Sequence, residues 1–136
     1  MTRTAEQIVL DFAAAFPRKD IDYLVEAMSE DCVYANVPLP PLRGRAAFRD
    51  FTAPALARAD RIEFIMLHIA TARDGLTVLT ERIDVFHYGA QRVSVPLMGI
   101  FVVRDGRIAE WRDYADLSSF LKQMAAIGQT PQISRS

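Results

Sequence analysis

The sequence predicts an α+β fold: a strongly curved, mixed but mostly antiparallel sheet, wrapped by N-terminal helices and one C-terminal helix into a cone with an internal pocket. Two observations predict it. Apolar residues recur at helical spacing in the first third of the 136-residue chain and again near its end. Between them lie four long runs of β-branched and aromatic residues separated by short turn signals. Helices grouped ahead of an antiparallel meander define this class, rather than an alternating one with a parallel sheet.

The elements follow in order. Thr4 and Gln7 fit a capping box, and Ile8, Val9, Phe12, Ala15 and Phe16 follow helical spacing until Pro17 ends or kinks the helix. Asp20 caps a second helix with Ile21, Leu24, Val25 and Met28 inward. Residues Cys32–Val37 read as a strand and Val37–Gly44, with three prolines, as a loop. Arg45–Leu56 is a third helix, weakened by Pro54. Strands are expected at Arg61–Ala70, Leu76–Tyr88, Gln91–Val103 and Arg107–Tyr114. The connections Arg73-Asp74-Gly75, Gly89-Ala90 and Arg104-Asp105-Gly106 make them a meander. Asp116 caps a last helix with Leu117, Phe120, Leu121 and Met124 inward. One domain is expected over residues 1–128, with a poorly ordered C-terminal tail over 129–136.

Composition removes several function classes. Sixteen basic and seventeen acidic residues give a formal net charge of −1, which argues against an electrostatic nucleic-acid binder. No apolar run reaches the roughly 18 residues that span a bilayer, and the amphipathic N-terminus is neither a signal nor a transit peptide. A single cysteine, Cys32, forms no intrachain disulfide and no thiolate zinc cluster, which fits a cytoplasmic protein. Cys32 sits in an apolar run as packing, and neither His68 nor His87 has a third ligand at metal spacing. No metal or cofactor is expected; there is no Gly-x-Ser-x-Gly and no phosphate-binding glycine loop.

Three strand segments carry polar or aromatic side chains two residues apart, which places each pair on one strand face. They are Tyr34 with Asn36, Arg82 with Asp84, and Trp111 with Asp113. Phe86 continues the Arg82/Asp84 face and Trp111 shares that of Asp113, so these faces are expected to point inward. Two carboxylates and a guanidinium are costly to bury apart. The economical arrangement sets Arg82 between Asp84 and Asp113, hydrogen-bonded to both. A buried structural ion pair, or charges on a solvated outer face, is the other reading, and the latter is the commoner fate of Arg-x-Asp in a strand. Tyr34 and Asn36 favour a functional cluster, because they offer a hydroxyl and an amide to a small polar ligand.

Two close carboxylates resist simultaneous ionisation, so the pair is expected to share a proton near neutral pH. One then serves as general acid and the other as general base, the combination that hydrolysis of a strained ether or acetal requires. By strand alternation Phe86, Val95 and Leu97 join Trp111 in lining a pocket, with Leu39, Met66, Met98 and Phe120 as further candidates. The strand Leu76–Tyr88 is apolar on both faces, with Ile83 and Val85 on one and Phe86 and Tyr88 on the other. It therefore needs a second cover, and a partner subunit making a homodimer is expected.

Val33-Tyr34-Ala35-Asn36-Val37-Pro38-Leu39-Pro40-Pro41 with Arg43-Gly44, Thr80 to Phe86, and Gly106 through Tyr114 together resemble the limonene-1,2-epoxide hydrolase family. That family lies within the superfamily of nuclear transport factor 2, ketosteroid isomerase and SnoaL-like cyclases. The resemblance runs from about Thr4 to Ala126. It implies that Asp113 activates water with help from Tyr34 and Asn36, that Asp84 protonates the epoxide oxygen, and that Arg82 bridges the carboxylates. It also implies one-step attack without covalent intermediate, cofactor or metal, by a dimer, and an apolar pocket with few polar groups suits a lipophilic epoxide. The turn Tyr88–Gln91 looks short for the family. A cyclase or isomerase of the same superfamily, a non-catalytic small-molecule-binding dimer, and glycoside hydrolysis by the two carboxylates are the competing readings.

Overall fold

The computed structural model describes residues 2–133. Helix α1 (Ala5–Ala15) starts in the expected capping box: Thr4 Oγ1 accepts from the Gln7 N–H at 3.1 Å, and Gln7 Oε1 accepts from the Thr4 N–H at 2.9 Å. It buries Ile8, Val9 and Phe12 and ends two residues before Pro17. Lys19, at φ 56°, turns the chain into α2 (Ile21–Ala27), where Asp20 accepts from the Tyr23 N–H at 3.1 Å.

Strand β1 (Met28–Val37) begins four residues before the expected start. Met28 is buried, as its spacing from Leu24 suggests, but as the first strand residue rather than on the helix. Met28 and Cys32, four residues apart on the strand, are both buried, and the register against β6 shifts between Met28 and Val33. The proline-rich loop holds a two-residue strand, β2 (Leu42–Arg43), which pairs antiparallel with β1. Helix α3 (Arg45–Arg58) runs straight through Pro54 and beyond Leu56. Pro54 and Asp50, whose carbonyl loses its helical donor there, both lie on the exposed face of the helix.

The meander is β3 (Arg61–Thr71), β4 (Thr77–Tyr88), β5 (Gln91–Arg104) and β6 (Arg107–Ala115). The sheet order is β2-β1-β6-β5-β4-β3, antiparallel throughout except that β1 runs parallel to β6. That single parallel pair makes the sheet mixed and sets Tyr34 beside Trp111 and Asn36 beside Asp113. Helix α4 (Leu117–Ala126), capped by Asp116, packs Phe120 and Met124 on Val93, Val95 and Leu97, while Leu121 stays half-exposed outside that cluster.

The main core lies between α1, α3 and the inner face of the sheet. Trp111 stacks between Tyr34, at 4.4 Å between ring centroids, and Phe101, at 5.2 Å, with Phe12 edge-on at 5.2 Å. The outer face is apolar yet open: Ile65, Leu67, Leu79, Met98 and Tyr114 are all exposed. Among the described residues no helix is long and apolar enough to cross a membrane.

Candidate active site

The six polar and aromatic residues singled out in the sequence come from three strands. Tyr34 and Asn36 stand on β1, Arg82 and Asp84 on β4, and Trp111 and Asp113 on β6. All six lie on the inner face, and the solvated outer-face reading of the charges is excluded, since Arg82, Asp84 and Asp113 are buried. Arg82 is the link. Its Nε donates to Asp84 Oδ1 at 3.1 Å, and its Nη2 donates to Asp84 Oδ2 at 3.0 Å and to Asp113 Oδ2 at 2.9 Å. Trp111 Nε1 donates to Asp113 Oδ1 at 2.7 Å. Every carboxylate oxygen of the pair therefore has a fixed donor. The guanidinium also lies over the Phe64 ring at 5.1 Å and near Phe101 and Trp111.

Charge counting explains the electrostatics. One arginine neutralises one carboxylate, and the second is buried without a counter-charge of its own. Burial pushes Asp84 up to about 6 against the pull of Arg82, and pushes Asp113 up against Arg82 and Trp111. A single proton on the pair leaves the cluster neutral, and the titration belongs to the pair. Burial works against the charge on Arg82, but the two carboxylates outweigh it and hold the guanidinium above its ordinary value. Tyr34 is held well above an ordinary phenol by burial and by the nearby Asp113, so it keeps its proton. Its oxygen accepts from Asn36 Nδ2 at 3.1 Å, which leaves the phenolic O–H free to donate.

These groups open onto a cavity of about 160 Å³ in which Tyr34, Asn36, Asp84 and Asp113 supply the polar floor. Phe86, Val95, Leu97 and Trp111 line it as expected, and so do Leu39 and Phe120. Met98 does not: alternation along β5 turns it to the outer face, where it is 49% exposed. Met66 is also absent from the wall. Sequence reasoning missed Phe16, Phe64 and the α3 face Phe51, Thr52, Ala55 and Leu56. The α3 residues recur at helical spacing, a signal that Pro54 and the arginines of that helix obscured. It also missed Arg58 and Gln132 at the rim. Within the stretch expected as a tail, Thr130 and Gln132 make contacts with α3. Arg58 donates to the Thr130 carbonyl and to Gln132 Oε1, and Gln132 Nε2 donates to the Phe51 carbonyl at 3.4 Å. The remainder of the expected tail, 134–136, lies outside the described residues.

Cys32 is buried, and burial raises its thiol pKa, consistent with inert packing. His68 and His87 contact Glu81 and Glu63 at 2.8 and 2.7 Å, away from the cavity.

A cone-shaped α+β domain with two buried carboxylates at the floor of an apolar cavity has the architecture of a small-molecule enzyme. Residues 3–126 match the model of the limonene-1,2-epoxide hydrolase catalytic domain, and the chain belongs to that family. It is 38% identical over 112 residues to epoxide hydrolase EphG of Mycobacterium tuberculosis, covering 82% of this chain and 72% of the relative. The structure of an M. tuberculosis epoxide hydrolase of the same type superposes with a TM-score of 0.77 at 33% identity, covering 90% of each chain. SalBIII, an epoxide hydrolase/cyclase-like enzyme of pyran ring formation in salinomycin, superposes with a TM-score of 0.76 over 85% of this chain and 92% of its own. At 19% identity that likeness shows the fold alone. The family makes this chain an epoxide hydrolase and sets aside the non-catalytic binding module.

Proposed function

We propose that the enzyme opens a lipophilic epoxide, cyclic or terpene-like, to a vicinal diol in one step by general acid–base catalysis. The observation that carries this reading is the Asp84–Arg82–Asp113 cluster, two buried carboxylates sharing one arginine beneath apolar walls. Asp113 takes a proton from water whose oxygen attacks an epoxide carbon. The carbon–oxygen bond of the ring breaks as Asp84 delivers its proton to the departing oxygen. Tyr34 and Asn36 hold the water, and Arg82 bridges the carboxylates and stabilises whichever one is charged. Trp111, Phe86, Leu97 and Val95 bind the hydrocarbon part of the substrate. Attack from the far side of the ring makes the product of a cyclic epoxide a trans diol.

One turnover in oxygen-18 water, on a panel of cyclic and aryl epoxides, tests the mechanism. The first diol formed carries one labelled oxygen per molecule. An unlabelled first product, with label appearing only later, places a carboxylate oxygen of the enzyme in the diol and overturns one-step attack. Rearrangement without any uptake of label places the enzyme among isomerases.

We also infer that two copies pair through the outer sheet face. Leu67 is 46% and Met98 49% exposed there, beside Ile65 and Tyr114, an apolar patch that a solitary domain of this size does not ordinarily leave open. A self-complementary patch is the simplest cover. Sedimentation is expected to give a species of twice 15.3 kDa, and Met98→Glu a monomer. A wild-type monomer at micromolar concentration removes the dimer.

A further inference from the structure

Four residues form one transverse row across the inner face of the sheet: Asn36, Asp113, Gly99 and Thr80 are successive partners on β1, β6, β5 and β4. The first two belong to the cluster already described. The other two are assigned no role by it, yet the row sets them directly against it.

Gly99 is buried in the middle of a 14-residue strand, where glycine is unfavourable. Its backbone needs no left-handed conformation, so a different reason is required. A Cβ at position 99 would lie 2.4 Å from Asp113 Oδ1, 2.5 Å from Arg82 Nη1 and 3.1 Å from Thr80 Oγ1. The first two distances are far inside van der Waals contact. Neither atom is free to retreat, because Asp113 Oδ1 is held by Trp111 Nε1 at 2.7 Å and Arg82 Nη1 by Thr80 Oγ1 at 3.0 Å. The gap above Gly99 is therefore where the guanidinium from β4 and the carboxylate from β6 reach each other across β5.

Thr80 closes the other side of that gap. It is 1% exposed, and its hydroxyl donates to the Gly99 carbonyl at 3.1 Å. With its proton committed there, the oxygen presents lone pairs to Arg82 Nη1. The guanidinium is thus clamped on two sides, with Nε and Nη2 on the carboxylates and Nη1 on a neutral oriented acceptor. The other groups facing Arg82 are the rings of Phe64, Phe101 and Trp111, which fix its plane without fixing its rotation within that plane. The fork onto Asp84 sets that rotation, and Thr80 anchors the Nη1 corner that the carboxylates do not hold.

We propose that Thr80 and Gly99 are positioning residues for the carboxylate pair: Thr80 anchors the Arg82 guanidinium, and the bare backbone at Gly99 gives it the passage to Asp113. This rests on the catalytic reading of Asp84, Arg82 and Asp113, and the test separates the two.

Thr80→Val keeps the shape and removes the hydroxyl; Thr80→Ser keeps the hydroxyl. Both are assayed for diol formation across pH, beside Asp113→Asn and Gly99→Ala. For Thr80→Val we expect kcat to fall about tenfold to a hundredfold, the range for loss of a hydrogen bond to a charged group, with KM nearly unchanged. A loosened arginine favours the carboxylate charges less, so both limbs of the pH–rate profile move to higher pH. Thr80→Ser restores kcat and profile. Gly99→Ala loses more activity than Thr80→Val, because the methyl group occupies the passage itself. Wild-type kcat and pH profile in Thr80→Val, or wild-type kcat in Gly99→Ala, overturns the proposal while an inactive Asp113→Asn leaves the catalytic reading standing. A lowered melting temperature with unchanged kcat and profile marks Thr80 as merely structural and also overturns it. Should Asp113→Asn remain active, both readings fall together.

Discussion

Asp113→Asn lowers kcat for diol formation by about 10³-fold or more, at the upper part of the range for loss of a positioned general base, while the protein keeps its fold. The amide has the shape of the carboxylate, so the stack of Tyr34, Trp111 and Phe101 around it is undisturbed. An amide cannot take the proton of the attacking water. It also breaks the charge pattern, because one end of it presents N–H to a site where Trp111 Nε1 and Arg82 Nη2 both donate. Against that unfavourable contact stands the removal of a buried charge that lacked its own counter-ion, so the melting temperature is expected to move by only a few degrees. Circular dichroism and thermal unfolding report the fold, and product analysis reports the rate. A folded variant retaining a tenth of wild-type turnover removes Asp113 as the base.

Arg82→Met acts on stability as strongly as Asp113→Asn acts on rate. Arg82 is fully buried and bonded to both carboxylates. Removing one partner of a buried ion pair costs about 3–5 kcal/mol, which for a domain of this size lowers the melting temperature by roughly 10–20 °C. The loss depends on pH, with a definite sign. Without Arg82 the carboxylates are raised further above their unfolded values, Asp84 beyond the value near 6 that it has beside the arginine. The folded variant then binds more protons than the unfolded chain from about pH 4 upward, so its stability falls as pH rises. The melting temperature is expected to drop more at pH 8 than at pH 5, measured by scanning calorimetry at both. An equal drop at both pH values means that the carboxylates do not carry the penalty.

Much of this site is visible in the sequence because strands repeat every two residues. Tyr34 with Asn36, Arg82 with Asp84 and Trp111 with Asp113 each declare a common face, and the neighbouring Phe86 and Trp111 declare that face to be the inner one. Caps are legible for the same local reason, since Thr4, Asp20 and Asp116 each bond a backbone N–H three residues on. What depends on register between distant strands is not legible. Nothing local marks Gly99 as different from any glycine in a strand; its role appears only once β5 is aligned with Asp113 on one side and Thr80 on the other. Met98, its neighbour, sits on the outer face for a reason equally invisible locally: an apolar residue on a sheet with two apolar faces carries no sign of which face it joins. The early start of β1 at Met28 was hidden by helical spacing that continues through a register shift.

The cavity wall extends past the stretch of polypeptide that carries the carboxylates. Asp84, Arg82 and Asp113 lie within residues 3–126, the part that matches the family model. Gln132 lies past that boundary and still forms part of the cavity wall, moored by Arg58 and by the Phe51 carbonyl of α3. Substitutions in this final stretch are therefore free to reshape the entrance without touching the carboxylates. An engineer seeking a wider substrate range has a place to begin there, and one who trims the chain at the family boundary discards it.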